Sequence, residues 1–199
     1  MAWNHNSHYH PILLGPVPPG ARRVLDIGCG EGLLTRRVAA VVPEAVGIDS
    51  DSRSIDRARA HSSPPGVSYL VGDFLTYSFE AESFDAVLSV AVLHHVDAEA
   101  GLARMVQLLR PGGVLGIVGL ARSTILDLPY TLLGALASRV HRGSRPIYEP
   151  ISPMRWPPPH TFRQMKRIVQ KRLPGAQYRR HLLWRYSVIW RKPHGTGLA

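Results

Sequence analysis

Cysteine is nearly missing from this chain of 199 residues: Cys29 stands alone, so no disulfide can close within it, and the composition asks for no oxidising compartment. Long apolar runs are missing too. The most apolar region, residues 112–138, is interrupted by Arg122, Asp127 and Pro129, well short of the roughly 20 residues that cross a bilayer. The first residues lack the basic and apolar pattern of a secretory signal, so a cytoplasmic location without stable membrane insertion is expected. Lysine is scarce, at 3 against 21 arginines, and acids almost vanish from the C-terminal region, where residues 139–199 hold Glu149 alone against 14 basic residues. Residues 1–138 carry 13 acids against 10 arginines, so the net charge of +10 belongs to the C-terminal region. Two readings of that charge stand: a solvated basic face, or a surface for nucleic-acid phosphates.

What is present is a regular alternation. Short β-branched runs fall at residues 24–27, 45–49, 67–71, 84–90 and 113–120, with helical patterns between them at 32–42, 52–60 and 98–109. Strands and helices alternating at this spacing predict βαβ crossovers and a parallel sheet buried on both faces. Asp97 is placed to cap the third helix, and Pro111-Gly112-Gly113 to stop it. Beyond Leu120 the pattern changes to an amphipathic stretch at 124–140, a proline-rich stretch at 142–159 and a helix at 160–173. Two strand-like pieces then lie almost end to end at 176–183 and 185–191, which suits an antiparallel hairpin at a sheet edge. At 199 residues one domain is expected, with 1–20 as an N-terminal lid, 22–120 as a core, 123–159 as an insertion and 160–192 as the last helix and hairpin.

The glycine-rich turn after the first strand, Gly28-Cys29-Gly30-Glu31-Gly32, would let a ligand approach the backbone closely. Leu33 stands where a dinucleotide fingerprint needs its third glycine, and Glu31 brings an acid to a place where pyrophosphate would sit. A cationic or zwitterionic ligand fits better. The run Asp26-Ile27-Gly28-Cys29-Gly30-Glu31-Gly32 resembles motif I of the class I S-adenosylmethionine-dependent methyltransferases, of the small-molecule kind found in ubiquinone and menaquinone biosynthesis. Its companions follow in order: Gly47-Ile48-Asp49 after strand two, Gly72-Asp73-Phe74 after strand three, the strand-four segment ending in Val90 and running to His94-His95, and Leu109 to Gly113 before strand five.

The resemblance covers about residues 22–120 and implies a Rossmann-like, doubly wound seven-stranded α/β sheet, mostly parallel, with an antiparallel edge hairpin. It implies S-adenosyl-L-methionine as cofactor and S-adenosyl-L-homocysteine as product. It also implies that Asp49 accepts hydrogen bonds from the ribose hydroxyls and that Asp73 bonds the adenine amino group while Phe74 packs on the ring. Asp26, Gly28, Cys29, Gly30, Ser50 and Val90 complete the implied cofactor set, with Tyr9 from the lid. Taken alone, Asp49 reads as a cap for the helix at 52–60 sooner than as a ribose ligand.

A methyl sulfonium is already activated, so the protein chiefly has to align an acceptor and exclude water. His94 and His95 lie just past strand four and are the candidate catalytic bases, with a packing role as the alternative for either. In the histidine-rich start, His5, His8 and His10 lack a companion Cys or Asp for a metal site, and His10 is assigned to the acceptor. Tyr130 and Trp156 join it. Ile125, Leu126, Leu128, Tyr130, Leu132 and Leu133 are expected to give the acceptor pocket an apolar wall, or to dip into a membrane surface ahead of Arg139. The expected activity is methyl transfer to a small organic molecule of secondary metabolism, with O-methylation ahead of N- or C-methylation. The alternatives are a nucleic-acid methyltransferase using the arginine-rich region, and a cofactor-binding protein that does other chemistry or serves as a partner. The oligomeric state is not legible.

Overall fold

The computed structural model describes residues 5–144 and 156–194. Seven strands form one sheet in the order β3-β2-β1-β4-β5-β7-β6. β1 (Arg23–Ile27), β2 (Glu44–Asp49), β3 (Val67–Val71), β4 (Phe84–Val90) and β5 (Leu109–Leu120) run parallel. β7 (Arg185–Arg191) lies antiparallel to β5, and β6 (Gln177–Arg180) antiparallel to β7. This is the doubly wound α/β sheet that the sequence predicts, edge hairpin included. Strand order reverses between β1 and β4, which opens a crevice at their carboxyl ends.

Both faces of the sheet are covered, because strands such as β1 and β4 carry apolar residues at nearly every position rather than at alternate ones. On one face α4 (Ala98–Leu108) and α6 (Phe162–Arg172) bring Leu102, Met105, Met165 and Val169 against Leu25, Val87 and Leu115. On the other, α1 (His10–Leu14) and α2 (Leu33–Val38) set Leu13, Leu34 and Val38 against Val24, Leu88 and Val118. Each fully buried leucine or valine contributes about 1.5–3 kcal/mol. α3 (Ser52–Ala60) packs Ile55 and Ala58 on Tyr69 beside β3.

Helix ends follow local chemistry. The Asp97 carboxylate accepts the Ala100 N–H at 2.8 Å and starts α4, as its spacing predicts, and Thr161 with Gln164 forms a reciprocal capping box on α6. α2 ends at Val38 rather than at residue 42, and the chain goes on in turns in which the Ala40 and Val41 N–H groups donate to the Arg37 and Val38 carbonyls. β5 starts at Leu109, directly after α4. The Pro111-Gly112-Gly113 stretch lies inside that strand, where its ladder with β4 slips between Phe84 and Ala86. β6 stops at Arg180, short of residue 183, because Leu183 and Trp184 adopt φ of 59° and 57° and turn the chain back into β7. Of the insertion at 123–159, the described parts are a 3-10 turn at Ile125–Asp127, capped by Thr124, α5 (Leu128–Ser144), and an irregular stretch at 156–159.

Candidate active site

A cavity of about 350 Å³ lies in the crevice at the carboxyl ends of β1, β2, β3 and β4. Its floor is the turn after β1, held by backbone: the Gly28 and Cys29 N–H groups both donate to the Ile48 carbonyl, at 2.8 and 3.1 Å. Three glycines in this turn have positive φ for separate reasons. A Cβ on Gly28 would stand 2.2 Å from Cγ2 of Val92, and one on Gly32 would stand 2.3 Å from the Tyr69 hydroxyl. A Cβ on Gly30 would meet no protein atom within 4 Å. Gly28 and Gly32 are glycine because of their neighbours, whereas the space at Gly30 opens onto the cavity that it lines.

Asp49 spans the end of β2 and this turn. Its carboxylate accepts the Gly30 N–H at 2.8 Å and the Asp51 N–H at 2.9 Å. The helix-cap role that Asp49 could have taken belongs to Asp51, whose carboxylate accepts from the backbone of Arg53 and Ser54 at the start of α3. Asp26, at 2 % exposure, accepts a 2.7 Å hydrogen bond from the Thr35 hydroxyl. Burial pushes its carboxyl up to about 7, and repulsion from Asp49 adds to the rise. The Cys29 thiol is raised far above its ordinary range by burial, with Asp26 and Asp49 pushing the same way, so it stays a neutral packed group. Asp73 is exposed on the wall and accepts the Leu75 N–H at 2.9 Å, while Phe74 beside it is buried at the junction of cavity and core. Arg104 fixes their loop by donating to the Phe74 and Tyr77 carbonyls.

The remaining wall comes from Val90, Ala91 and Val92 after β4, from His95 and Val96, and from Asn6, Ser7 and His10 of the N-terminal segment. Ala91 holds φ of 59° while its N–H donates to the Val118 carbonyl at 2.7 Å, a strained backbone at the lip of the strand. The two adjacent histidines part company. His95 is exposed on the cavity wall, and His94 is buried beneath it with ring centroids 4.0 Å apart. His10 is buried on the wall, and burial, with Arg37 nearby, drives its imidazole down to about 3, so it is neutral at physiological pH.

Of the residues expected at the site, Asp26, Gly28, Cys29, Gly30, Asp49, Ser50, Asp73, Phe74, Val90, His95 and His10 all border this one cavity. Tyr9 does not: it is packed with Leu13 in the core under α1, and its hydroxyl donates to the Leu182 carbonyl of the hairpin turn. A step of one residue on a helix rotates the side chain by about 100°, which carries Tyr9 away from the face that His10 presents to the cavity. Tyr130 lies under the Arg180 guanidinium at 4.4 Å, away from the cavity, and Trp156 is 62 % exposed. The expected apolar wall is also elsewhere. Ile125, Leu128, Leu132 and Leu133 face outward, because α5 meets the rest of the chain through its small residues, Gly134 against Leu183 and Ser138 against His5. Residues 145–155 of the expected insertion, and the side chain of Leu126, lie outside what the structure describes. Asn6, Ser7, Asp51, Ala91 and Val92 border the cavity without having been singled out. Asn6 and Ser7 sat in plain view within the histidine-rich start, masked by their more conspicuous neighbours.

The charge of the lining is one-sided: among the described residues Asp26, Glu31, Asp49, Asp51 and Asp73 border the cavity, and no Arg or Lys does. That set of acceptors suits a cationic, hydroxyl-bearing ligand and repels a pyrophosphate. Residues 25–117 match the methyltransferase domain family. Across nearly its whole length the chain is 35% identical, over 192 residues, to an uncharacterized methyltransferase of Mycobacterium tuberculosis, covering 96% of this chain and 98% of that protein. The chain belongs to the S-adenosylmethionine-dependent methyltransferases. A ubiquinone biosynthesis O-methyltransferase of Methylocella silvestris is 38% identical over 123 residues, which is 60% of this chain and 48% of that protein. The N-methyltransferase NodS from Bradyrhizobium japonicum shares the fold, with a TM-score of 0.63 at 20% identity, covering 94% of this chain and 96% of that one. The cofactor is therefore S-adenosyl-L-methionine.

Proposed function

We propose that this methyltransferase transfers the methyl group to an oxygen of a small organic acceptor in secondary metabolism. The observation that carries this reading is the exposed His95 imidazole on the wall of a cavity of about 350 Å³, a size suited to small molecules. When bound, the cofactor supplies an activated methyl sulfonium. The chain's part is to bind, orient and deprotonate. Asp49 would hold the ribose hydroxyls, Asp73 and Phe74 the adenine, and Asp26 the methionine ammonium. His95 takes the acceptor's hydroxyl proton, while His10, neutral, lines the acceptor side and Val92 excludes water beside it. The O-methyltransferase relative supports oxygen as the accepting atom.

The nucleic-acid reading is the weaker one because cations of the basic region are engaged within the chain. Arg172 pairs with Glu99, Arg180 with Asp127 and Lys192 with Glu82, and Arg191 donates to the Gly112 carbonyl. The purified protein, given S-adenosyl-L-methionine and a panel of catechols and phenols, is expected to release S-adenosyl-L-homocysteine with stoichiometric methyl ether. Release with RNA alone, or methylation of amines alone across a matched panel, would overturn the proposal.

A further inference from the structure

Arg185 opens β7 opposite Leu120, at the carboxyl end of β5 and hence level with the crevice. It is 9 % exposed, and it enters none of the ion pairs among the described residues. Burial pulls its guanidinium down to about 10, with only Tyr9 acting in the other direction. A buried cation without a counter-charge is costly, and chains retain one where something else will face it.

What Arg185 holds is Asn6. Its Nε and Nη2 both donate to Oδ1 of Asn6, at 3.2 and 2.8 Å, and its Nη1 donates to the Leu183 carbonyl at 3.2 Å. Guanidinium has no acceptor, so the Asn6 amide can have only its oxygen on this side. The amide nitrogen of Asn6 makes no hydrogen bond to a described residue, and Asn6 borders the cavity. The next residue is supported in the same way, the Ser7 carbonyl accepting from Arg37 at 3.4 Å.

The cavity is thereby polarised across the β1/β4 reversal. Its five carboxylates all come from β1, β2, β3 and the turns that follow them. The N-terminal segment on the other side offers Asn6, Ser7 and neutral His10, with Arg185 and Arg37 behind them. The turn that delivers Arg185 is itself held at unfavourable backbone angles in Leu183 and Trp184.

We propose that Asn6 contacts the acceptor and that Arg185, through Asn6, positions it and selects an acceptor bearing an anionic oxygen group, a carboxylate or a phosphate. This rests on the reading of the cavity as a methyl-transfer site for a small acceptor. The Asn6 amino group donates to the anion, and the guanidinium behind it supplies the charge that distinguishes the anion from a neutral analogue.

The test is calorimetric titration of the full-length protein, saturated with S-adenosyl-L-homocysteine, with benzoate, phenyl phosphate and benzyl alcohol. Benzoate or phenyl phosphate is expected to bind at least about tenfold more tightly than benzyl alcohol, and the tighter of the two names the anion. Asn6→Ala and Arg185→Met are each expected to erase that preference while leaving the affinity for S-adenosyl-L-homocysteine within about twofold, and Arg185→Lys to restore part of it. Parent protein that binds all three probes alike, or none of them at millimolar concentration, overturns the inference. So does a preference that survives in Asn6→Ala. Parent protein that fails to bind S-adenosyl-L-homocysteine strikes the methyl-transfer reading instead.

Discussion

The Thr35 hydroxyl donates to the buried Asp26 carboxylate at 2.7 Å, tying the start of α2 to the last residues of β1 beneath the glycine turn. With its carboxyl raised to about 7 by burial and by Asp49, Asp26 is poised to ionise when a cation arrives. Affinity for S-adenosyl-L-methionine is expected to rise about tenfold between pH 6 and pH 8, followed by calorimetry, and to lose this dependence in Asp26→Asn. Thr35→Val removes a bond that favours the ionised form, so it moves the inflection to higher pH. Stability has the opposite sense. The folded chain holds this proton more tightly than the unfolded chain, so the contribution of Asp26 is full below about pH 4 and is lost as pH rises to about 7. Asp26→Asn is accordingly expected to melt higher than the parent at pH 8. A flat affinity profile in the parent would remove Asp26 from the cofactor site.

Gly30 and Gly32 separate ligand space from packing space. Gly32→Ala drives a Cβ into the Tyr69 ring at positive φ, and a destabilisation of about 2–4 kcal/mol is expected by denaturant titration. Gly30→Ala meets no protein atom, so it costs about 1–2 kcal/mol through its backbone angle alone. Yet Gly30→Ala is the variant expected to lose at least about tenfold in cofactor affinity. Equal binding by Gly30→Ala and the parent would mean that the cofactor does not lie against this turn.

The two neighbouring carboxylates at the end of β2 divide their work. Asp49→Ala leaves the Gly30 and Asp51 N–H groups without their acceptor, and its cofactor affinity is expected to fall about a hundredfold or more. Asp51→Ala uncaps α3 and is expected to lower the melting temperature with a smaller effect on affinity. The reverse ranking in a paired calorimetric and thermal measurement would hand the ribose to Asp51.

His95→Ala is expected to lower kcat with a phenolic acceptor by about a hundredfold or more, with cofactor affinity retained. His94→Ala, which empties a buried position, is expected to cost about 1–3 kcal/mol of stability and to leave kcat per folded molecule near that of the parent. Steady-state rates normalised to active-site titration distinguish the two. Unchanged kcat in His95→Ala would show that no imidazole base acts there.

The cofactor half of the site is legible in the sequence because its signals are local. Asp26, Asp49 and Asp73 lie within two residues of a strand end, and the glycine turn follows β1 directly, so the strand pattern alone carries them to the crevice. The acceptor half is not local. Whether Tyr9 or His10 faces the cavity depends on the rotation of a five-residue helix packed on β5, and whether α5 turns its leucines inward depends on where Gly134 and Ser138 find partners. His94 and His95 are indistinguishable as letters and are separated only by burial. Asn6 and Arg185 are 179 positions apart, and no spacing rule connects them.

That separation in sequence also orders events during synthesis. The strands and turns that supply the cavity's carboxylates, through Asp73, leave the ribosome early, whereas Asn6 must wait until almost the entire chain has emerged before Arg185 can take its amide. Closing so long a loop is entropically late in folding. The contact that fixes the N-terminal segment to β7 is thus the last part of the cavity wall to be secured.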